Sequence, residues 1–251
     1  MKKLLAFDLD DTLAVTKSPI SDQMSEVLGK VLEHFDVCVI SGGRFEQFKL
    51  QIVDRLHLEP EKLARLHLMP TCGTQYYRYD VTAEDWRQQY AENLTKDEVA
   101  RITEVLEASA RELGYWPAQP AGEVIENRQT QVTFSALGQN ARAEDKYAWD
   151  ADNSKKLALR DLAAESLPGL EVRAGGTTSI DVTREGIDKA YGKEKQMDQL
   201  DLTRDDILFF GDKLEEGGND YPVKAMGVDC LDVSCWEDTV RRLESIVAVV
   251  S

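Results

Sequence analysis

The chain has 251 residues and a formal net charge of −16, long enough to bury a core in one large domain or two modest ones. Its charge opposes phosphate backbones and anionic lipid surfaces, so nucleic acid and membranes are excluded as expected partners. No stretch approaches the ~20 consecutive apolar residues of a membrane span, and the N-terminus runs into a strand pattern rather than a signal peptide, so a cytoplasmic protein is expected.

The first element is an apolar run, Leu4 to Leu9, read as a buried strand with Asp8 and Asp10 at its carboxyl end and Thr12 following. Residues two apart on a strand share a face, so both carboxylates can reach one ligand at the sheet edge where ligands bind in open α/β folds. Ser21 is placed to cap a helix whose Met24, Val27, Leu28, Val31, Leu32 and Phe35 recur at helical spacing. A second strand, Val37 to Ile40, ends in Ser41-Gly42-Gly43-Arg44. A helix is expected over 45–56, and a strand at Leu66 to Met69 precedes the turn-rich Pro70 to Thr74. Strand, helix, strand at this spacing implies a parallel crossover.

The middle of the chain changes character. Thr95 and Glu98 form a capping-box signature ahead of Val99, Ile102, Val105, Leu106 and Leu113, with Gly114 as the stop. Gln131 to Leu137 alternates polar and apolar residues, and Glu171 to Ala174, Gly175-Gly176 and Thr177 to Val182 read as a hairpin with Ser179 and Asp181 on one face. Trp86, Trp116 and Trp149 fall in this region. After residue 186 the parallel pattern resumes, with an apolar run at Ile207 to Phe210 leading into GDKLEEGGNDY, a segment from Val228 to Val233, and a last helix from Trp236. The expected fold is α/β, a Rossmann-like parallel-sheet core made of 1–80 and 186–251 with an inserted α+β cap over 81–185.

Cys38, Cys72, Cys230 and Cys235 lack CxxC spacing, and His34, His57 and His67 are not clustered for zinc, so oxygen ligands are the better metal candidates. Asp8 and Asp10, Ser41 beside Gly42, Lys189, and Asp212 with Asp220 occupy the ends of expected core elements. Phosphoryl transfer needs a nucleophile, a proton donor for the leaving oxygen and cations on the phosphoryl oxygens. Asp8 suits the first role and Asp10 the second. Ser41 and Gly42 suit a backbone phosphate nest, with a helix cap at Ser41 as the alternative reading. Asp8, Asp10, Asp212 and Asp220 suit magnesium, with Asp10 offering its carbonyl and Asp220 also able to act at one remove or as an N-cap. Lys189 by itself reads as a solvated lysine.

The order DLDDT, ISGGR, a lone lysine after an insertion, then GDK with a downstream Asp resembles the haloacid dehalogenase superfamily of phosphoryl-transfer enzymes. Within it, GGTTSIDVTREGIDKAYG and FFGDKLEEGGNDY are similar to the eukaryotic-type phosphomannomutase branch, where GGxxSxDVxxxGxDKxY and GDKxxxGGND recur. The resemblance implies a magnesium-dependent enzyme with Asp8 as nucleophile, Asp10 as acid/base and Lys189 with Ser41 on the phosphate. It implies a cap that contacts a sugar phosphate through Arg128, Ser179 and Asp181, and homodimerisation through that cap. Two further family arginines align with Gln139 and Lys146. Gln carries no charge and Lys lacks the bidentate fork, so the clamp for a second phosphate is weakened, and hydrolysis of a small sugar phosphate is expected ahead of a hexose-phosphate mutase needing a bisphosphate activator. A non-catalytic binding module with the same fold is a remote alternative.

Overall fold

A computed structural model of the protein describes residues 2–250 and divides into two compact units, Met1–Ala91 with Asp188–Ser251, and Glu92–Ile187.

The first unit is built on β1 (Leu4–Phe7), α1 (Asp22–His34), β2 (Asp36–Ile40), α2 (Phe45–Gln51), α3 (Pro60–Leu63), β3 (Leu66–Met69), β4 (Gln75–Asp80) and β5 (Asp85–Ala91). Between its two segments the second unit contributes α4 (Lys96–Glu112), β6 (Ile125–Asn127), β7 (Val132–Ser135), α5 (Ala143–Trp149), α6 (Ser154–Glu165), β8 (Leu170–Ala174) and β9 (Ser179–Arg184). The chain then returns with α7 (Lys189–Leu200), β10 (Ile207–Gly211), α8 (Tyr221–Ala225), β11 (Asp229–Asp232) and α9 (Trp236–Val250).

In the first unit seven strands run in the order β11-β10-β1-β2-β3-β4-β5. The pairs from β11 to β3 are parallel, and β4 and β5 close one edge antiparallel. Alternation along the strands sends residues to opposite faces. Leu5, Phe7, Val37, Val39 and Phe210 pack with Met24, Val31, Val240 and Leu243 of α1 and α9, whereas Leu4, Ala6, Ile40 and Phe209 pack with Val223 and Met197 on the other side. Phe7 stacks on Phe210 at 4.7 Å between ring centroids, adding shape-specific contact at the centre of the sheet. Both faces are therefore covered, and the loops at the strands' carboxyl ends are left to hold polar groups.

The second unit is a four-stranded antiparallel sheet, β6-β7-β9-β8. Val132, Phe134, Ile180 and Val182 share the face packed on Ile102, Leu106 and Leu159 of α4 and α6. The opposite face carries Thr133, Ser135, Ser179 and Asp181, with Ser135 opposite Ser179 and Thr133 opposite Asp181. The capping box at the start of α4 is formed, Thr95 N donating to Glu98 Oε2 at 2.6 Å and Glu98 N to Thr95 Oγ1 at 3.2 Å.

Several expected boundaries move. The first strand stops at Phe7, because Asp11 takes a left-handed φ of 63° and Asp11 N donates to Ala14 O, folding 8–14 into a loop. The helix expected over 45–56 ends at Gln51 and gives way to a short 3-10 turn at Val53–Arg55. The strand expected over 131–137 is shorter, Val132–Ser135. Residues 81–91, expected with the insertion, belong to the first unit, where β5 pairs with β4. Trp86 goes with them and packs edge-on against Tyr79 at 5.6 Å.

Candidate active site

The loop after β1 is set by its own carboxylates. Lys17 N donates to Asp10 Oδ1 at 2.7 Å and Thr16 N to Asp11 Oδ1 at 3.1 Å, while Thr239 Oγ1 of α9 donates to the carbonyl of Thr12 at 2.7 Å. Such side-chain-to-backbone bonds satisfy a tight turn that has no ladder of its own. Asp8, 3% exposed, stays in register with the sheet through Asp8 N and the carbonyl of Phe210.

Three carboxylates converge from separate elements: Asp8 after β1, Asp212 after β10 and Asp220 before α8. One oxygen from each lies within 4.8 Å of the others, compared with about 4.2 Å across an octahedral magnesium shell. Lys189 Nζ, at the first residue of α7, lies 2.7 Å from Asp8 Oδ1 and 2.5 Å from Asp220 Oδ1. Asp220 Oδ2 accepts from Lys213 N at 3.2 Å, which fastens the 212–220 loop, and Lys213 Nζ pairs with Asp212 Oδ2 at 2.6 Å. Gly211 makes the approach feasible, since a Cβ there would sit 2.5 Å from Asp220 Oδ2.

Burial pushes the Asp8 carboxyl up to about 8; Lys189 opposes that shift, and Asp220 and Asp212 add to it. Burial likewise raises Asp212 against the pull of Lys213. Burial pulls Lys189 down, but Asp220 and Asp8 outweigh it and hold the ammonium above the ordinary lysine range. Carboxylates this close and this dry call for a cation. Asp212 Oδ1 is buried without a hydrogen-bond partner among the described residues, so hard oxygen donors and one open anionic oxygen fit magnesium.

Asp10 does not join this carboxylate cluster. Besides Lys17 N, its Oδ1 accepts from Gln51 Nε2 at 3.3 Å; the same amide donates to the carbonyl of Ser18 at 2.9 Å and accepts from Gln47 Nε2 at 2.7 Å. Its side chain is thus engaged in the loop, leaving only its carbonyl for the ligand role expected of it. Ser41, buried at the end of β2, accepts from Gly43 N at 3.3 Å, and its carbonyl accepts from Cys72 N. Gly43 leaves room for the relay beside Asp10, because a Cβ there would lie 2.8 Å from Gln47 Oε1. Gln51 and Lys213 were not singled out from the sequence; the Gln47, Gln51 spacing of one helical turn was the available signal.

On the second unit, Arg128 donates from Nε to Glu126 Oε2 at 2.6 Å, with both side chains almost wholly buried. Lys146 Nζ donates to the carbonyl of Gln139 at 2.9 Å, bringing those two expected residues together. Asp181 Oδ1 accepts from Thr133 Oγ1 at 2.7 Å, which in turn accepts from Gln131 Nε2 at 2.9 Å. Ser179 is beside Asp181 on the same strand face. Glu126, Gln131 and Thr133 escaped the sequence reading, although Glu-x-Arg at 126 and 128 is a same-face spacing on an extended chain.

The family model "Eukaryotic phosphomannomutase" matches residues 24–249. A "Probable phosphomannomutase" of Caenorhabditis elegans is 25% identical over 232 residues, covering 89% of this chain and 87% of that protein. "Phosphomannomutase 1" of Homo sapiens is 26% identical over 257 residues, covering 97% and 91%. Among solved structures, a haloacid dehalogenase-like hydrolase from Bacteroides thetaiotaomicron superposes with a TM-score of 0.63 at 16% identity, covering 98% of this chain and all of that one. N-terminal truncated Plasmodium falciparum IMP-nucleotidase superposes with a TM-score of 0.66 at 16% identity, covering 98% and 70%. The structural likenesses show a shared fold. The chain belongs to the eukaryotic phosphomannomutase family and is an enzyme of haloacid dehalogenase-type phosphoryl transfer.

Proposed function

We propose that the protein hydrolyses a small sugar phosphate through an aspartyl-phosphate intermediate on Asp8. An Asp8 carboxylate oxygen attacks phosphorus, and the leaving sugar oxygen takes a proton from Asp10. Asp10 then accepts a proton from the water that attacks the aspartyl phosphate, and inorganic phosphate leaves. Lys189 and the Ser41-Gly42 backbone hold phosphoryl oxygens in this reading. Asp8, Asp212 and Asp220, with the Asp10 carbonyl, would hold magnesium, which would supply positive charge against the transferring group. Ser179 and Asp181 supply hydrogen bonds suited to sugar hydroxyls.

The observation that carries hydrolysis over mutation of phosphate position is the weakened clamp at Gln139 and Lys146, where Lys146 Nζ donates to the carbonyl of Gln139 at 2.9 Å. A mutase must hold a second phosphate, yet Gln139 brings no charge and Lys146 lacks the bidentate fork. The family match favours the other reading, a mutase that passes through a bisphosphate. The test is incubation with magnesium and mannose 1-phosphate, with and without glucose 1,6-bisphosphate, following inorganic phosphate and mannose 6-phosphate together. Phosphate release without the bisphosphate is expected. Mannose 6-phosphate that depends on the bisphosphate, with no net phosphate release, overturns hydrolysis.

A further inference from the structure

The first unit buries a second reactive pair outside the carboxylate cluster. Cys38, in the middle of β2, and Lys193, on α7 one turn beyond Lys189, are each 0% exposed. Lys193 Nζ lies 2.9 Å from Cys38 Sγ and 2.8 Å from Gln196 Oε1. A buried lysine ordinarily pairs with a carboxylate. Here its described partners are a thiol and an amide oxygen. Around the pair, His67 sits opposite Cys38 in the β2–β3 register and bonds through Nδ1 to Tyr76 Oη.

Burial lowers the Lys193 ammonium below the ordinary lysine range, and Lys189 adds to that, while contact with Cys38 opposes it. Deprotonation to the nucleophilic amine is thereby made easier than for an exposed lysine. Cys38 is not part of a disulfide. A thiol carried on a peptide or protein cannot dock on a side chain with no exposure, whereas peroxide is only slightly larger than water, so the ordinary fate of an oxidised cysteine, capture by another thiol, is closed to it. The group already at reacting distance is the amine. Productive approach of two reacting atoms is about 3–3.5 Å, and the pair stands at 2.9 Å.

We infer that Cys38 and Lys193 form an oxidative modification site, in which peroxide drives a reversible covalent link between Sγ and Nζ. Sulfur attacks one peroxide oxygen, the O–O bond breaks, and the departing hydroxide leaves as water with the thiol proton, giving a sulfenic acid on Cys38. The Nζ lone pair then attacks Sγ, the S–O bond breaks, and hydroxide leaves as a second water with one amine proton. Sulfur gives up two electrons, peroxide accepts them, and an S–N bond remains. Once the chain is unfolded, external thiols reverse it by attacking sulfur and returning the amine. Because Lys193 shares α7 with Lys189, and Cys38 lies on the strand that leads to Ser41, the link ties together the two elements carrying the proposed phosphate-binding groups.

The test treats the folded protein with hydrogen peroxide, removes the peroxide, unfolds the chain in an alkylating reagent to block residual thiols, and maps peptides by mass spectrometry without reductant. The expected product is the Cys38 peptide joined to the Lys193 peptide, lighter than their sum by two hydrogens, resistant to trypsin after Lys193 and separated again by dithiothreitol. Recovery of Cys38 as the alkylated thiol at peroxide doses that oxidise the methionines overturns the proposal. So does its recovery as an unlinked sulfinic or sulfonic acid, or a link that retains an oxygen atom. In K193M the cross-link is expected to vanish while Cys38 oxidation continues to the higher acids. The wild-type peptide map decides the matter even if that variant folds poorly, and it does not depend on which phosphoryl-transfer reaction the enzyme performs.

Discussion

Lys189 Nζ stands 2.7 Å from Asp8 Oδ1, so the first residue of α7 neutralises the residue that follows β1 across 181 positions of sequence. The same ammonium reaches Asp220, and the chain's two passages through the first unit are joined at this one cation. Removing it while leaving both carboxylates buried costs about 3–5 kcal/mol by the usual penalty for breaking a buried ion pair. K189M is expected to lower the urea midpoint accordingly, whereas D8N, which removes one of the crowded charges, is expected to fold at least as stably as the parent while losing turnover by ~10³-fold or more. Equal turnover of D8N and parent refutes the aspartyl-phosphate mechanism.

The open oxygen of Asp212 predicts that magnesium stabilises the fold itself. At a hundredfold excess over its dissociation constant a ligand of the native state adds about 2.7 kcal/mol. Urea denaturation in magnesium and in chelator is expected to show that gap for the parent and little of it for D212N. An equal gap in D212N would remove Asp212 from the proposed ligand set.

A pH effect follows from His67. Burial lowers its pKa to about 4, with Arg78 and Lys193 adding to the effect and Asp36 opposing it. Between pH 4 and the unfolded value near 6.5 the unfolded chain binds a proton there that the folded chain does not, so stability falls as pH drops through that window and the loss is complete below pH 4. The accumulated difference is about 3 kcal/mol at ~1.4 kcal/mol per unit. H67Q keeps a polar partner for Tyr76 and is expected to flatten the slope of unfolding free energy against pH by up to one proton in that window. An unchanged slope means that His67 is charged in the native protein.

Much of this architecture was legible locally. Ser21 caps α1 by accepting from Met24 N at 3.1 Å, and Thr95 with Glu98 forms its capping box, because such motifs depend on residues three apart. The carboxylates at the strand ends were legible for a similar reason: an apolar run followed by Asp marks both the strand and its carboxyl end. The β4–β5 hairpin was not, since β5 reads DWRQQYA, a mostly exposed edge strand without clean alternation. Lys189 was legible only through the family resemblance, as its two partners lie 181 and 31 residues away. The Arg128–Glu126 pair depended on knowing that both side chains are buried, which two residues of sequence do not reveal.

The contact of Gln51 with Asp10 gives the sharpest test of the acid/base assignment. Gln51 is buried, and its orientation is fixed because Nε2 must face the carbonyl of Ser18, so the same amide presents a donor to Asp10 Oδ1. With Lys17 N on the same oxygen, the carboxyl group is held from one side, leaving Oδ2 to carry the catalytic proton. General acid catalysis contributes ~10²–10⁴-fold, and misplacing a catalytic group by about 1 Å can forfeit ~10²-fold. Q51L is therefore expected to slow formation of the phosphoenzyme from a sugar phosphate, whose alkoxide leaving group needs a proton, by roughly 10–100-fold. It is expected to change the same single-turnover rate from p-nitrophenyl phosphate by less than about 3-fold, because nitrophenolate leaves without one. D10A sets the limit of the effect. If Q51L slows both substrates equally, Gln51 supports the loop and not the proton transfer; if D10A does so as well, Asp10 is not the acid.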